Sequence, residues 1–321
     1  MLWRFFIFAM LSWAFAASAA EPLRPFPVKQ GNPIMLRFLD PIPFATPRKD
    51  SSIFYFTQSY SSIFLADQLP NQKKYVADME LYIMDFTIAH RLTSDSSVYI
   101  NIPLMMPLAG ALDPFLRQYH QRLGLPNGGR EARPDNSFAY QYSGASEGWN
   151  SQSRWEMGNI QAQWRKTWGD EEKIQTSSAL SVKIPTGSSK RGWGHAGIDL
   201  GAAIIQSWQD ANWKAHAELW WIHPFARQDF GSPIKDYLRS TLSLGHAAKL
   251  LFNAVWVVQV QGGTSPYKTG IAPLDQPPWL VSAGFQHEAI NHTSWNFAFT
   301  ENITQRNTQD FGVSLQVARQ F

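Results

Sequence analysis

The chain has 321 residues, a formal net charge of +3 and no cysteine. The near balance of charges argues against a nucleic-acid partner, and the missing cysteines exclude a disulfide framework and thiol chemistry. The length suits one large domain or two small ones.

Residues 1–20 are predicted to be a cleaved signal peptide. Arg4 supplies a positive charge, residues 5–15 form an apolar core of the usual length, and small residues fill 16–20. A membrane anchor is the alternative, but the run is short and lacks the charges that follow a stop-transfer segment. We therefore expect export to the cell envelope, with the outer membrane as the destination.

Residues 21–50 are predicted to be a separate N-terminal segment because they are rich in proline: Pro22, Pro25, Pro27, Pro33, Pro41, Pro43 and Pro47. Proline cannot donate to a strand ladder, so the segment is expected to be extended and mostly unpaired. It would be either a periplasmic tail or a plug folded into a barrel.

Residues 51–321 predict a transmembrane antiparallel β-barrel of about 12 strands. Period-two alternation of apolar and polar residues indicates strands. They are expected at 53–60, 76–91, 97–103, 159–168, 173–184, 198–208, 213–222, 236–245, 249–261, 279–288, 293–302 and 311–321. Because only alternate residues of such strands need be apolar, a barrel explains how 12 of the 14 tryptophans lie in this part of the chain although it has no apolar stretch of spanning-helix length. A soluble all-β fold remains the alternative.

The connections between these strands alternate in length. Short turns are predicted near residues 94, 170, 210, 247 and 290. Longer loops are predicted at 61–75, 104–155, 185–195, 223–235, 263–278 and 303–309. Such sorting is typical of periplasmic turns and extracellular loops, with both termini in the periplasm. Trp168, Trp208 and Trp213 stand beside the turns, as members of an interfacial belt would.

The long loop 104–155 contains a predicted short helix. Asp113 followed by Pro114 resembles a helix N-cap, and Gly124 is a suitable C-terminal stop. One apolar face is expected from Phe115, Leu116, Tyr119 and Leu123. The helix would lie over the barrel mouth or inside it.

This part of the chain resembles a family of Gram-negative outer-membrane barrels (domain-of-unknown-function family 3187). The residues that carry the likeness are Asp113-Pro114-Phe115-Leu116 with His120, residues 124–130, 134–136 and 138–140, and 183–187. The resemblance implies an outer-membrane barrel and supplies no catalytic residues. The last strand, ending at Phe321, resembles the insertion signal read by the barrel-assembly machinery, although Arg319 departs from it.

Alternation also predicts which polar side chains line the lumen. They are Glu80, Asn101, Gln161, Gln163, Arg165, Lys183, Lys214, His216, Glu218, Arg239 and Gln286. They would either form a network that fills the barrel or set the selectivity of a passage. In the loop motif, Asp113, His120 and Arg130 stand out, with Arg130 expected to pair with a carboxylate. No metal motif and no cofactor is predicted.

We expect passive passage of small molecules across the outer membrane, with lipid and a small solute as partners. The loop 104–155 would gate or narrow the passage. The alternatives are a lipid-active hydrolase and a plugged structural or surface-binding barrel. The hydrolase alternative rests on weak grounds, chiefly His287 with Asn291 and His292 near one turn, and an enzyme is the less expected outcome.

Overall fold

The computed structural model describes residues 23, 25–30, 35–41, 43, 47, 51–68, 74–125, 127–144, 148–168, 173–248, 254–288, 292–303 and 308–321. The predicted signal peptide, residues 1–20, lies outside them, as does Asn291. Within these ranges, no helix is both long and apolar enough to cross a membrane.

The described residues form a closed antiparallel β-barrel of 12 strands. In chain order the strands are β1 (Ser52–Gln68), β2 (Lys74–Arg91), β3 (Ser96–Leu108), β4 (Ile160–Trp168), β5 (Ile174–Ile184), β6 (Asp199–Gln209), β7 (Trp213–Pro224), β8 (Tyr237–Ala248), β9 (Ala254–Gly263), β10 (Trp279–Glu288), β11 (Thr293–Asn302) and β12 (Phe311–Gln320). Each strand pairs with its neighbours in sequence. The pairing of β1 with β12, from Ile53↔Gln320 to Ser62↔Phe311, closes the barrel and confirms the predicted fold.

Short and long connections alternate along the chain as predicted, although two of the predicted connections are wrongly placed. We call the end of the barrel with the short connections the turn end, and the opposite end the loop end. The predicted loop at 61–75 is wrong, because β1 continues to Gln68 and β2 begins at Lys74. The predicted turn at 246–248 is also wrong, because these residues belong to β8 and the connection follows at 249–253.

The outward face of the barrel is apolar. Large outward side chains are strongly exposed, among them Ile204 at 68%, Leu242 at 61% and Leu219 at 56%. Their neighbours along each strand are buried, as in β7, where burial alternates residue by residue. Exposed apolar side chains on every second residue are what lipid contact requires. Trp168, Trp208 and Trp213 are exposed beside the turns, where a belt was predicted.

The long connection after β3 carries helix α1 (Asp113–Leu123), which ends at Gly124 with a left-handed φ of 68°. The helix and its stop are as predicted, but the N-cap is Leu112. The predicted cap, Asp113, instead accepts hydrogen bonds from Arg130 and from the backbone N–H of Asn136. Its carboxylate therefore holds the loop together and leaves the helix N-terminus uncapped by a side chain.

Helix α1 lies against the outer face of the barrel wall. The rings of Phe115 and Tyr119 contact Phe311, an outward residue of β12, with centroid distances of 6.2 and 6.3 Å. Two predicted positions, over the mouth and inside the barrel, are thus both wrong for the helix. The helix does not obstruct the interior, so it cannot be what narrows a passage.

Other parts of the connections extend the wall at the loop end. The short strand Ala139–Ser143 pairs with the first residues of β2, and Gly148–Asn150 pairs with it in turn. A second small hairpin joins Gln228–Asp229 to Ser232–Pro233. A short helix α2 (Ala272–Asp275) lies in the connection before β10. These pieces stand around the mouth of the barrel.

Candidate functional site: the barrel interior

Ten of the eleven side chains predicted for the lumen lie on the inward face and are buried. Direct cross-strand pairing shows this, because paired residues share a face. For example, Gln161 pairs with both Asn101 and Lys183. The ten are Asn101, Gln161, Gln163, Arg165, Lys183, Lys214, His216, Glu218, Arg239 and Gln286.

Glu80 is the exception and corrects the prediction. It pairs with Ser62 on the same face as the pair Phe56↔Phe86, which is the outward face. It is nevertheless only 2% exposed, because the loop after β3 covers it. Its carboxylate accepts hydrogen bonds from Tyr60 and from the backbone of Ala111. Glu80 therefore anchors the loop to the outside of the barrel.

The N-terminal segment runs through the interior. Halfway along β9, Gln259 accepts a hydrogen bond from the Phe26 backbone N–H at 2.8 Å and donates to the Phe26 carbonyl at 2.9 Å. Gln261 donates to the Val28 carbonyl at 2.7 Å. Leu23 packs against the inward glycine Gly245. A Cβ added to Gly245 would come within 2.7 Å of Leu23 Cδ1. Wall and segment are thus complementary in shape and in hydrogen bonding.

Two buried ion pairs hold the segment, one at mid-height and one near the loop end. Lys29 Nζ lies 2.5 Å from Asp85 Oδ1. Arg239 donates from Nη2 and Nε to Asp40 Oδ1 at 2.6 and 2.9 Å. All four side chains are at most 6% exposed. Alternation along the strand predicts that Arg239 faces the lumen, but nothing in a proline-rich segment indicates which wall residue Asp40 will contact.

The segment reaches the loop end at the 3₁₀ helix Met35–Arg37 and then turns back. The carbonyl of Arg37 accepts hydrogen bonds from Asn159 Nδ2 at 3.1 Å and Lys183 Nζ at 3.3 Å. On the return path, Arg91 beside the turn end donates to the carbonyl of Pro47 at 3.0 Å. The segment therefore enters and leaves at the turn end.

The guanidinium of Arg37 is enclosed by residues from the loop-end connections. Its central carbon lies 4.5 Å from the ring centroid of Trp149 and 4.8 Å from that of Phe230. Asp229 accepts from Nη2 at 2.5 Å, and Tyr267 accepts from Nε at 3.3 Å. We call Trp149, Phe230, Asp229 and Tyr267 the Arg37 cage. Burial raises the pKa of the Tyr267 phenol well above its ordinary value, so it stays neutral.

An apolar core surrounds this tip of the segment. Met35, Leu36, Phe38 and Leu39 belong to one buried cluster with inward residues of β1 and β2. Leu39 packs against Gly201. A Cβ added to Gly201 would come within 2.9 Å of Leu39 Cδ2. The interior is thus apolar and packed towards the loop end, and a second, smaller apolar cluster lies near the turn end, formed by Ile53, Tyr55, Ala89, Tyr99 and Ala318.

His195, in the connection before β6, also contacts the segment. Its ring centroid lies 4.5 Å from that of Phe38, and Nε2 lies 2.8 Å from Asp199 Oδ1. Asp199 also accepts from the Leu39 backbone N–H at 2.8 Å. Burial lowers the pKa of His195 below its ordinary value in spite of this carboxylate. The neutral ring is therefore the form that fits the packed site.

One inward trio has the residue types of a serine hydrolase. Ser207 Oγ lies 2.8 Å from His216 Nδ1, and His216 Nε2 lies 2.8 Å from Glu218 Oε1. Trp220 donates to the other carboxylate oxygen at 3.0 Å. The three side chains face the lumen, away from the lipid face, so the trio does not favour a lipid-active enzyme. His287, by contrast, contacts the ring of Trp295.

The loop motif lies outside the barrel. Arg130 is buried and pairs with both Asp113 and Asp310. His120 Nδ1 lies 3.2 Å from Asn127 Oδ1. Burial raises the pKa of Asp310 although Arg130 opposes the shift. In the described part of the chain, no cluster of three or more His, Cys, Asp or Glu residues is placed to hold a metal ion. At the last residue, Phe321 exchanges backbone hydrogen bonds with Ser52.

The barrel fold is similar to that of a solved outer-membrane channel. The COG4313 outer membrane channel from Pseudomonas putida F1 superposes with a TM-score of 0.58 at 12% identity, covering 86% of this chain and 97% of that one. The NanC porin gives 0.47 at 7% identity, covering 83% and 97%. The KdgM porin in complex with disordered oligogalacturonate gives 0.41 at 6% identity, with the same coverage. At these identities the likeness concerns the fold alone, and the two weaker superpositions carry no argument.

The family assignment rests on sequence. The family model described as "Protein of unknown function (DUF3187)" matches residues 5–321. The chain therefore belongs to this family, as the loop motifs indicated. A comparison with curated proteins finds no significant match.

Proposed function

We propose that the protein is an outer-membrane channel for small solutes whose passage is closed by its own N-terminal segment. The turn end would face the periplasm and the loop end the outside, as in barrels with short periplasmic turns. The segment, residues 23–47, would act as a plug that moves during opening.

One observation carries this proposal: the segment is bound inside the barrel by wall side chains, and it enters and leaves at one end. Gln259 and Gln261 bind its backbone, while Asp85 and Arg239 bind its charged residues. On the wall, these contacts are made by side chains. Breaking them would leave the strand ladders of the barrel intact and would expose polar groups suited to a wet passage.

A permanently plugged structural barrel is the alternative. It requires the same contacts, so conductance must separate the two functions. A purely structural segment would be expected to stay in place under all conditions, and its removal would destabilise the barrel without creating a defined pore.

The test is single-channel recording in planar bilayers, comparing the full chain with a variant that lacks residues 23–43. We expect the full chain to be closed most of the time and the deletion variant to conduct steadily. Adding a synthetic peptide of residues 23–43 to the periplasmic side should close the variant again. Heat-dependent mobility in gels checks that the variant still forms a barrel.

A folded deletion variant that conducts no more than the full chain would refute the channel. The matched control is a variant lacking residues 113–123, since helix α1 lies outside the wall. Its conductance should equal that of the full chain.

A further inference from the structure

The Arg37 cage has the chemistry of a ligand site. Two neighbouring aromatic rings, Trp149 and Phe230, pack against a planar cation, while a carboxylate and a phenol accept hydrogen bonds from its N–H groups. The two rings also contact each other, with centroids 4.9 Å apart. Aromatic faces combined with an anion are the usual means of recognising organic cations.

The cage is built entirely by the loop-end connections, whereas its occupant comes from the N-terminal segment. Trp149 comes from the connection after β3, Asp229 and Phe230 from that after β7, and Tyr267 from that after β9. Three separate connections thus converge on one side chain of a different part of the chain. If Arg37 withdrew with the segment, a cation-binding cage would face the mouth.

One residue of the Arg37 cage, Phe230, has an uncommon backbone conformation. Phe230 has a φ of 50°, in the left-handed region that bulky residues rarely adopt, and it is followed by Gly231 at 69°. This hairpin tip aims the Phe230 ring at the guanidinium. Backbone strain of this kind persists where the surrounding contacts require it, and it is frequent at ligand clamps.

We propose that the Arg37 cage is the recognition site for solutes that carry a planar guanidinium-type cation, and that Arg37 occupies it as an internal substitute when the channel is closed. Adjacent ring faces together with in-plane acceptors select a flat head group with several N–H donors, which an arginine provides and a lysine does not. In one respect the proposal rests on the proposed function. Because a solute cation competes with Arg37 for the cage, its binding favours the open state of the channel.

The structure also makes the cage testable in isolation. The Arg37 carbonyl is held by Asn159 and Lys183, independently of its side chain. An Arg37→Ala variant should therefore empty the cage while the segment stays in place. Methylguanidinium, which matches the removed head group, is the probe.

Binding of methylguanidinium chloride is measured by isothermal titration calorimetry on the full-length protein in detergent. We expect saturable binding at one site in Arg37→Ala and in Arg37→Ser. Adding Asp229→Asn should weaken it at least about tenfold, since a charge-assisted hydrogen bond is lost. Potassium chloride at the same concentration should not compete. Arg227→Ala, which removes an exposed arginine of the same connection and keeps Arg37, is the matched control and should bind the probe at least about tenfold more weakly than Arg37→Ala.

Probe binding no stronger in Arg37→Ala than in Arg227→Ala would overturn the proposal, as would binding that Asp229→Asn leaves unchanged. Should the Arg37 variants fail to fold, hydrogen exchange of the unaltered protein decides. Methylguanidinium, unlike potassium, should accelerate exchange at residues 35–40, and no acceleration contradicts the proposal. Failure of the channel itself is recognised separately, since the deletion of residues 23–43 tests conductance without the probe.

Discussion

The ion pair between Arg239 and Asp40 gives the sharpest test of the plug. Each side chain is 6% exposed, and two hydrogen bonds of 2.6 and 2.9 Å join them. Arg239→Met leaves the Asp40 carboxylate buried without its partner, which costs about 3–5 kcal/mol. Withdrawal of the segment lets that carboxylate hydrate, so the penalty falls on the closed state alone. Asp40→Asn leaves Arg239 buried and has the same sign.

The expected effect on opening is large. Since about 1.4 kcal/mol is tenfold, the ratio of open to closed channels should rise between about one hundred and a few thousand times, until the channel is almost always open. The double variant Arg239→Met with Asp40→Asn removes both charges and should return most of the way to the closed state. Open probability in planar bilayers measures all three variants.

Equal open probabilities for the full chain and both single variants would refute this reasoning. The reasoning would also be refuted if the free-energy change of opening in the double variant equalled the sum of the changes in the two single variants, because the two residues would then not be coupled.

The remaining predictions concern other levels of the molecule. Burial lowers the pKa of His195 from its ordinary value of 6.5, so the undocked state binds more protons and the contact is weakened as the pH falls through that value. Hydrogen-exchange protection factors at residues 35–40, which correct for the intrinsic pH dependence of exchange, should fall on acidification in the full chain but not in His195→Gln. Arg130→Ala leaves two buried carboxylates unpaired, which weakens loop docking by about 3–5 kcal/mol; chymotrypsin should then cleave residues 109–135 faster while conductance stays the same. Glu80→Gln should leave ion selectivity unchanged, since this residue faces outward, whereas Glu218→Gln should alter it; a shift with Glu80→Gln would contradict the assigned face.

The strands of the barrel were predictable because lipid and lumen impose opposite demands on successive residues. In β7 the apolar and polar residues alternate, and the structure buries Lys214, His216 and Glu218 while exposing Trp213 and Leu219. A single strand of this kind already defines two faces. The boundaries were less certain where the alternation weakens, as between β1 and β2.

The error at Glu80 has a physical reason that the sequence does contain. Along β2 the polar residues Asp78 and Glu80 occupy the outward face, whereas Asp85 and Thr87 occupy the inward face. The polar face therefore changes side within one continuous strand. Towards the turn end the outside is lipid; towards the loop end the outside is covered by a polar loop, and the inside is an apolar core. Such a switch marks the place where a strand leaves the membrane.

The contacts of Arg37 could not be predicted in the same way. The cage joins four connections and segments that are distant along the chain, and Arg37 is one of 28 Lys and Arg residues. Neither periodicity nor local motif distinguishes it. Only the closed barrel brings Trp149 and Phe230 to the same side chain.

Proline explains why the segment can lie inside the barrel without joining its wall. None of the described residues of 23–47 belongs to a strand, although they lie inside a wall of strands. Pro25, Pro27, Pro41 and Pro43 lack the N–H that a ladder needs, so the segment cannot add a thirteenth strand or pair tightly with the wall. It is held by ion pairs, by glutamine side chains and by packing at its tip. Each of these contacts can break while the strand ladder of the barrel stays intact. A movable plug requires this property, and a strand of the wall lacks it.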